Sequence, residues 1–348
     1  MVRRRSWVRF PLEAPIKYIG DNMENKESFD ELYTRIYNEN FKELEHRRCT
    51  DTSTLKTLLI IVVMLIVGLI GMGIMLGFDI KDISKVNSDA FIPIVMAVAL
   101  SPLVIIILIS LVYQKFKNTK EGKLNDKESY RSVFKKKIVK PILDSVLNDC
   151  NYDYTDGLTK EEYNLGEWEK YDSYRSKDKI STSINNLNLV MSQVHTQERR
   201  KDSPTQFYDM FYGIAGFVKL PKDIGCYVKV VNNEYNLFGT SYEKVEMDMV
   251  EFEKIFDIKT DDKVKIMQIF TIDVMTNIIE LIKTNKVKFE LYINNDMMNI
   301  RFHTGEVFEP NIYGKAMQYE MLKRYYNIVN GIKNTTKYIS NVIINVDI

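Results

Sequence analysis

Two apolar runs dominate the pattern of the chain. Residues Thr57 to Phe78 (TLLIIVVMLIVGLIGMGIMLGF) carry no charged side chain, and neither do Ala90 to Tyr113 (AFIPIVMAVALSPLVIIILISLVY). At about 1.5 Å per residue, each run exceeds the roughly 20 residues that cross about 30 Å of hydrocarbon. Soluble helices seldom stay apolar on every side for that length. Leu, Ile and Val each favour insertion by about 0.3 to 0.6 kcal/mol at mid-bilayer, so the pattern predicts two transmembrane helices, 57–78 and 90–113. With the turn 79–89 they form a hairpin over 57–113. The alternative is a pair of buried core helices. A cleavable signal peptide is not expected, because the first run starts deep in the chain and no apolar segment precedes it.

Elsewhere the periodicity changes. Residues 1–22 are basic and aperiodic, and read as a doubtful or disordered N-terminal extension, with translation expected to start at Met23. From there to residue 56 an amphipathic cytoplasmic helix is expected, with Phe29, Leu32, Tyr33, Ile36, Tyr37, Phe41 and Leu44 at helical spacing. Ser28 and Glu31 have the spacing of a capping box. A helix is predicted over 126–149, where Tyr130, Phe134, Ile138, Ile142 and Val146 recur every fourth position and Pro141 should kink it or start a second short helix. Lys286 to Ile293 (KVKFELYI) alternates strictly, with Val287, Phe289, Leu291 and Ile293 on one face and Lys286, Lys288, Glu290 and Tyr292 on the other. The turn Asn294–Asp296 then leads into a second strand with Met298, Ile300 and Phe302. Further strands are expected around 180–194, 213–220 and 227–231, and helices at 250–256, 263–283 and 316–343. Strands flanked by helices without regular βαβ alternation predict an α+β class. The architecture expected is therefore an α+β cytoplasmic domain, residues 114–348, preceded by a two-helix transmembrane hairpin.

Charge orients this architecture. Lys and Arg number 48 and Asp and Glu 47, so no global basic field marks a nucleic-acid binder. Arg47, Arg48 and Lys56 precede the first run, and Lys115, Lys117, Lys120, Lys123 and Lys127 follow the second. The connecting turn balances Lys81 and Lys85 against Asp79, Asp82 and Asp89. The positive-inside rule then places both termini in the cytoplasm of a multi-pass cell-membrane protein, with the basic flanks against anionic head groups. Gly68, Gly71, Gly73 and Gly77 thin one side of the first helix. That side suits either a dimerisation face or, as preferred here, packing of the hairpin on itself. Pro102 should kink the second helix. Neither run holds an ionisable residue, which disfavours a proton or ion path.

Candidate chemistry is sparse. Three scattered cysteines, Cys49, Cys150 and Cys226, exclude a CxxC pair and fit reduced thiols. Residues 151–157 (NYDYTDG) fail as a calcium loop, because with Gly157 in sixth place the ligand positions fall on Tyr152, Tyr154 and Asp156. His195 and His303 lie on expected strands and could meet, with Cys226, as a metal or Cys-His site; ordinary strand histidines are the default, and His46 is juxtamembrane. Tyr212 to Phe217 (YGIAGF) lacks the phosphate-loop spacing, and its glycines suit a bulge or a close backbone approach. Ser203-Pro204 marks an exposed loop. No catalytic, cofactor-binding or metal residue is assigned, and no cofactor is expected.

One family resemblance emerges. Val245 to Asp262 (VEMDMVEFEKIFDIKTDD) carries an acidic-Phe-Glu-x-x-Phe run, filled by Glu251, Phe252, Glu253 and Phe256, then Asp261. The helix IFTIDVMTNIIELI, the strand pair, Gly305 to Pro310 (GEVFEP) and FYGIAGFVKLPK follow the same scheme. These segments resemble the bacterial proteins grouped as domain of unknown function 3137, over about residues 28–345. The resemblance implies the two-span architecture and no reaction. One departure is Lys177-Asp178 in SKDKISTS, where the family often has an acidic pair followed by glycine. The leading functional expectation is a membrane-anchored interaction or sensory module rather than an enzyme. Its expected partners are the lipid bilayer and a membrane or cytoplasmic protein, with homo-oligomerisation possible. The alternatives are a hydrolase-like membrane enzyme using Asp178, Asp261 and Glu309, or an accessory subunit of a transport or envelope complex.

Overall fold

A computed structural model describes residues 27–79, five helical positions between 107 and 114, and residues 129–203, 205–233, 243–312 and 314–345. Nine antiparallel strands form one sheet in the order β1-β2-β3-β4-β9-β8-β5-β7-β6. They are β1 (Asn151–Asp153), β2 (Ser173–Ile184), β3 (Leu187–Arg199), β4 (Phe207–Lys219), β5 (Val228–Asn232), β6 (Glu243–Val245), β7 (Phe256–Thr260), β8 (Phe289–Asn294) and β9 (Met297–Phe302). The longer helices cover one face of it, giving the expected α+β class.

Helix α1 spans Phe29–Asp79, 51 residues without a break. Ser28 and Glu31 form the expected capping pair, the Ser28 N–H donating to the Glu31 carboxylate at 2.9 Å. Leu32, Ile36 and Leu44 are fully buried against the domain. Phe29, Tyr33, Tyr37 and Phe41 stack in series beside them, and Phe29 also meets Tyr319 and Tyr326. The helix then continues into the first apolar run. Among the described residues no helix is long and apolar enough to cross a membrane. The second run is described only at Ile107, Ser110, Leu111, Tyr113 and Gln114, all helical. The N-terminal extension, the 79–89 turn beyond Asp79, Pro102 and the lysines of 115–127 lie outside the described residues.

The chain resumes as α2 (Tyr130–Phe134), a π-helical turn (Lys135–Val139) and α3 (Lys140–Val146). Of the two outcomes expected at Pro141, a kink or a second short helix, the second occurs: a new helix starts with Pro141 in its first turn, after the wider turn. Pro141 has no N–H to give and its ring crowds the carbonyl four residues back, so the helix widens upstream and restarts with the proline in its first turn. The segment runs antiparallel to α1: Lys137 pairs with Glu43 at 2.5 Å, and Pro141, Asp144 and Ser145 share a groove with Glu27 and Arg35. Both helices touch residues 311–316. Arg48 donates to the Ile312 carbonyl at 3.2 Å, and Glu45 accepts from the Ala316 N–H at 3.0 Å. The Tyr130 hydroxyl donates to the Asn311 carbonyl at 3.2 Å. Arg48 on α1 and Tyr130 at the start of α2 therefore meet the domain at one place.

Four further helices follow α4 (Lys160–Asn164): α5 (Val250–Glu253), α6 (Lys263–Ile269), α7 (Ile272–Asn285) and α8 (Tyr319–Asn345). Three sequence expectations need correction. The strand expected over 180–194 is a hairpin, because Asn185 and Asn186 adopt φ of 53° and 62°, the left-handed pair of a two-residue turn. The helix expected over 250–256 stops at Glu253, and Phe256 opens β7, whose alternating Phe256, Ile258 and Thr260 are buried. The helix expected over 263–283 is two, since the Thr271 hydroxyl caps a new N-terminus at Val274.

The outer face of β8 and β9 also differs from expectation. Phe289, Leu291 and Ile293 face the helices as predicted, but Glu290 and Tyr292 on the opposite face are also buried. A second layer covers them: Leu158, Tyr163, Trp168, Tyr171 and Tyr174 pack on Val190, Val194, Phe211 and Ala215. YGIAGF lies in β4, and its first glycine serves a close approach. A Cβ on Gly213 would sit 1.9 Å from the Phe302 carbonyl oxygen. Gly213→Ala should destabilise the protein by about 3 kcal/mol, since a strand backbone cannot yield as a side chain can. Gly305→Ala, in open space at φ 68°, should cost only the left-handed penalty of about 1 to 2 kcal/mol. Urea unfolding of the two variants checks this ranking.

Candidate functional site

Lys135 opens the π turn and projects into the domain, where only 1% of the residue is exposed. Its ammonium donates to both oxygens of Asp178 at 2.7 Å and pairs with Glu309 Oε1 at 2.9 Å. Three local irregularities bring these groups together. The π turn begins at Lys135 itself, next to the buried Val133 and Phe134 of α2. A bulge in β2 between Lys177 and Ile180 puts Asp178 at φ 62°, so that Lys177 and Asp178 both reach the helical side. The GEVFEP segment turns through Gly305 (φ 68°) and Phe308 (φ 62°) to present Glu306 and Glu309.

Charge balances within the cluster. Lys177 reaches Glu309 at 2.5 Å and Glu306 at 3.2 Å, and Arg131 pairs with Glu309 through its Nε. Three cations, Arg131, Lys135 and Lys177, thus face three carboxylates, Asp178, Glu306 and Glu309. The Tyr152 hydroxyl donates to Asp178 at 2.5 Å and the Tyr325 hydroxyl to the Glu309 carbonyl at 2.8 Å. Burial would raise the Glu309 pKa, but Lys135, Lys177 and Arg131 together outweigh it and hold the carboxyl below the usual range. At Asp178 burial wins over the Lys135 ammonium and the pKa is raised. Burial, with Asp178 beside it, also drives the Tyr152 phenol far up. The groove of Glu27, Arg35, Pro141, Asp144 and Ser145 is not lined by Asp178, Glu306 or Glu309. The cluster therefore acts as a lock between the returning helix, the sheet and the 305–312 segment, with Lys135 and Asp178 buried and Lys177 and Glu306 at its partly exposed edge.

A second polar cluster fills the sheet's other face. Arg301, 1% exposed, donates through Nε to Glu290 at 2.8 Å and through Nη2 to Glu169 at 2.5 Å, and its Nη1 meets the Tyr163 hydroxyl at 3.2 Å. Its guanidinium lies 4.3 Å from the Trp168 ring centre and 5.1 Å from that of Phe211. His303 meets the other Glu290 oxygen at 2.6 Å. Arg301 and His303 lower the Glu290 pKa against the opposing pull of burial. This cluster pins the 158–172 segment to the sheet.

The histidine site anticipated as one possibility does not form. The register places His195 level with Tyr212 on the helical face, and His303 on the opposite one. His195 binds Asp209 at 2.7 Å and stacks on Tyr212. Cys226 is buried at the start of β5, and no group of three or more metal-ligating side chains occurs among the described residues. Of the three carboxylates proposed for a hydrolase, Asp178 and Glu309 converge on Lys135. Asp261 instead accepts the Tyr227 N–H at 2.8 Å, at the end of β7. Glu253 accepts the Met247 N–H at 2.6 Å, Phe252 and Phe256 stack in the core, and Glu251 pairs with Lys283, so that family segment is architectural. Asp153 closes a local turn by accepting from Thr155. Sequence reasoning missed Lys135, although Lys135, Val139, Ile142 and Val146 share a helical stripe. A lysine in an apolar stripe is the available signal.

Comparison with known proteins adds the following. The model of a family described as "Protein of unknown function (DUF3137)" matches residues 209–338, from β4 into α8, including Glu306 and Glu309 but not Lys135 or Asp178. No curated protein matches the chain. Among solved structures, the mycobacterial trehalose monomycolate transport factor A, TtfA, matches at 7% identity and a TM-score of 0.32, covering 57% of this chain and 92% of that one.

Two outcomes follow for the lock. Lys135→Met should cost about 3 to 5 kcal/mol by stranding Asp178, and adding Asp178→Leu should recover part of that loss; chemical unfolding of the single and double variants measures the coupling. The folded Glu309 pKa lies below its usual value of 4.5. Its stabilisation is therefore present above 4.5 and lost as pH falls through the lower folded value. Glu309→Gln should lower stability at pH 7 and flatten the acid limb below pH 4.5, read by urea midpoints across pH.

Proposed function

We propose, for a chain that belongs to the DUF3137 family over residues 209–338, that it is a membrane-anchored interaction or sensory module with its α+β domain and both termini in the cytoplasm. The carrying observation is the meeting of α1 and α2 at residues 311–316. A segment that leaves and re-enters a domain at one place crosses a bilayer an even number of times. Residues 49–129 contain two uncharged runs of sufficient length, Thr57–Phe78 and Ala90–Tyr113. Basic residues flank the pair on its outer sides and support a cytoplasmic orientation.

The domain is built for binding rather than bond-breaking. Asp178 and Glu309 are saturated by Lys135, Lys177, Arg131 and Tyr152, whereas a general acid or base must reach a substrate proton. Helix α1 is shared between the core and the first apolar run, so the domain is held to the anchor by a continuous helix instead of a flexible tether. A protein partner, or a second copy of the chain, would bind a surface of fixed orientation.

An impermeant maleimide applied to intact cells tests this. Ser84→Cys, in the inter-run turn, should label from outside, and Ser203→Cys only after permeabilisation. Labelling of Ser203→Cys in intact cells, or recovery of the full chain in the aqueous fraction without detergent, would overturn the reading.

A further inference from the structure

We infer that the tip of the β2–β3–β4 ribbon, through Arg199, Arg200, Lys201, Phe207 and Tyr208, touches the anionic head groups of the bilayer that holds the hairpin, as a second, peripheral contact of the domain. The inference rests on the membrane reading above. Strand β9 ends at Phe302, opposite Ile214. Beyond that row β2, β3 and β4 continue without it, through Tyr174↔Thr196 and Arg199↔Phe207. This overhang is a three-stranded ribbon ending in the loop between Arg199 and Phe207.

Its direction follows from contacts along β2. Lys177 shares Glu309 with Arg131, Asp178 meets Lys135, and the Thr182 hydroxyl donates to the Asn148 carbonyl at 2.6 Å. Strand and helix thus run side by side in the same sense, and the start of β2 lies at the Tyr130 end. That is the end at which α1 departs for the apolar run and α2 returns from 115–129. On α1, Glu43 is level with Lys137, so Arg131 is level with about residue 49, and Thr57 lies about 12 Å further at 1.5 Å per residue. Gln193 pairs with Lys177, and Arg199 is six strand residues beyond it, about 20 Å at 3.3 Å per residue. Even a strand tilted by about 45° from α1 advances about 14 Å. The tip reaches the level at which the apolar run begins.

Its composition suits that level. Arg199, Arg200 and Lys201 are consecutive and exposed, against one carboxylate, Asp202, within 199–206, a net +2. Glu198, Asp209 and Asp172 lie behind these cations along the ribbon and keep their charge, hydrogen-bonded to the Tyr208 hydroxyl, to His195 and Gln197, and to the Arg199 N–H, so the basic character is local to the three consecutive cations at the tip. Phe207 and Tyr208 are 40% and 43% exposed, and Arg199 lies over the Phe207 ring. Aromatic rings beside cations are the side chains that settle at a head-group interface.

Tryptophan quenching in the full-length protein, reconstituted in phosphatidylcholine vesicles containing phosphatidylglycerol with shallow-brominated acyl chains, tests the contact. Three variants are compared with the parent: Phe207→Trp at the tip, Leu59→Trp in the apolar run, and Tyr338→Trp on α8 near the opposite end. Phe207→Trp should be quenched at least about twofold more than Tyr338→Trp, as an interfacial ring would be. That excess should shrink when Arg199, Arg200 and Lys201 are replaced by Glu. If Leu59→Trp is quenched while Phe207→Trp behaves like Tyr338→Trp, the tip contact is refuted and the membrane reading stands. If Leu59→Trp is not quenched either, both fall. Quenching at Phe207 that survives the charge reversal would refute the head-group attraction.

Discussion

The buried ammonium of Lys135 is the constraint on which the architecture turns. A lysine is almost never enclosed unless its charge is met, and here two carboxylates from distant parts of the chain meet it. Asp178 comes from a strand bulge and Glu309 from the segment after the last strand. That segment continues into residues 311–316, which hold Arg48 of the outgoing helix and Tyr130 of the returning one. The position of α1 and α2 relative to the sheet is thus transmitted through one polar knot and a few backbone carbonyls. Hydrophobic burial would have held these parts together without fixing their register, because apolar contact is non-directional. Paired charges with both oxygens engaged tolerate little sliding.

The two buried clusters divide this work between the sheet's faces. Lys135 fixes the helical layer, and Arg301 fixes the aromatic layer of residues 158–174. Each cation is fully engaged, Arg301 by Glu290, Glu169 and Tyr163 and Lys135 by Asp178 and Glu309. The sheet therefore carries a charge lock on either side. Both histidines that drew attention in the sequence are ancillary, His303 supporting Glu290 and His195 supporting Asp209.

Much of the fold was legible where one rule governed a segment. The β8–β9 hairpin, the Ser28–Glu31 cap and the apolar stripe of α1 each follow from local periodicity or a local motif. Segments governed by two rules at once were misread. An Asn-Asn turn inside an apolar stretch passed as a continuous strand, and the α6–α7 pair passed as one helix because both halves are amphipathic. Glu290 and Arg301 could not be found from alternation, which marks a strand's polar face as solvated and has no means of anticipating a second covering layer. The site was half legible. Asp178 and Glu309 were singled out as carboxylates, but their partner lies 43 residues from one of them in sequence, and only its place in an apolar helical stripe hints at its burial.

A continuous α1 gives the attachment its mechanical character. A flexible linker lets a tethered domain sample many orientations, and its only effect on a partner is local concentration. An unbroken helix shared by the core and the apolar run carries orientation as well. A shift of that run would be felt at Glu45 and Arg48, then at residues 311–316, and then at Glu309 and Lys135. This is a contiguous path of packed and hydrogen-bonded groups rather than a demonstrated two-state switch, and coupling requires the second. What the sequence of contacts does fix is where such a switch would have to act. Any rearrangement that separates Glu309 from its three cations leaves opposite charges buried without partners, so the domain has a strong preference for the arrangement in which α1 and the sheet keep a single relative position.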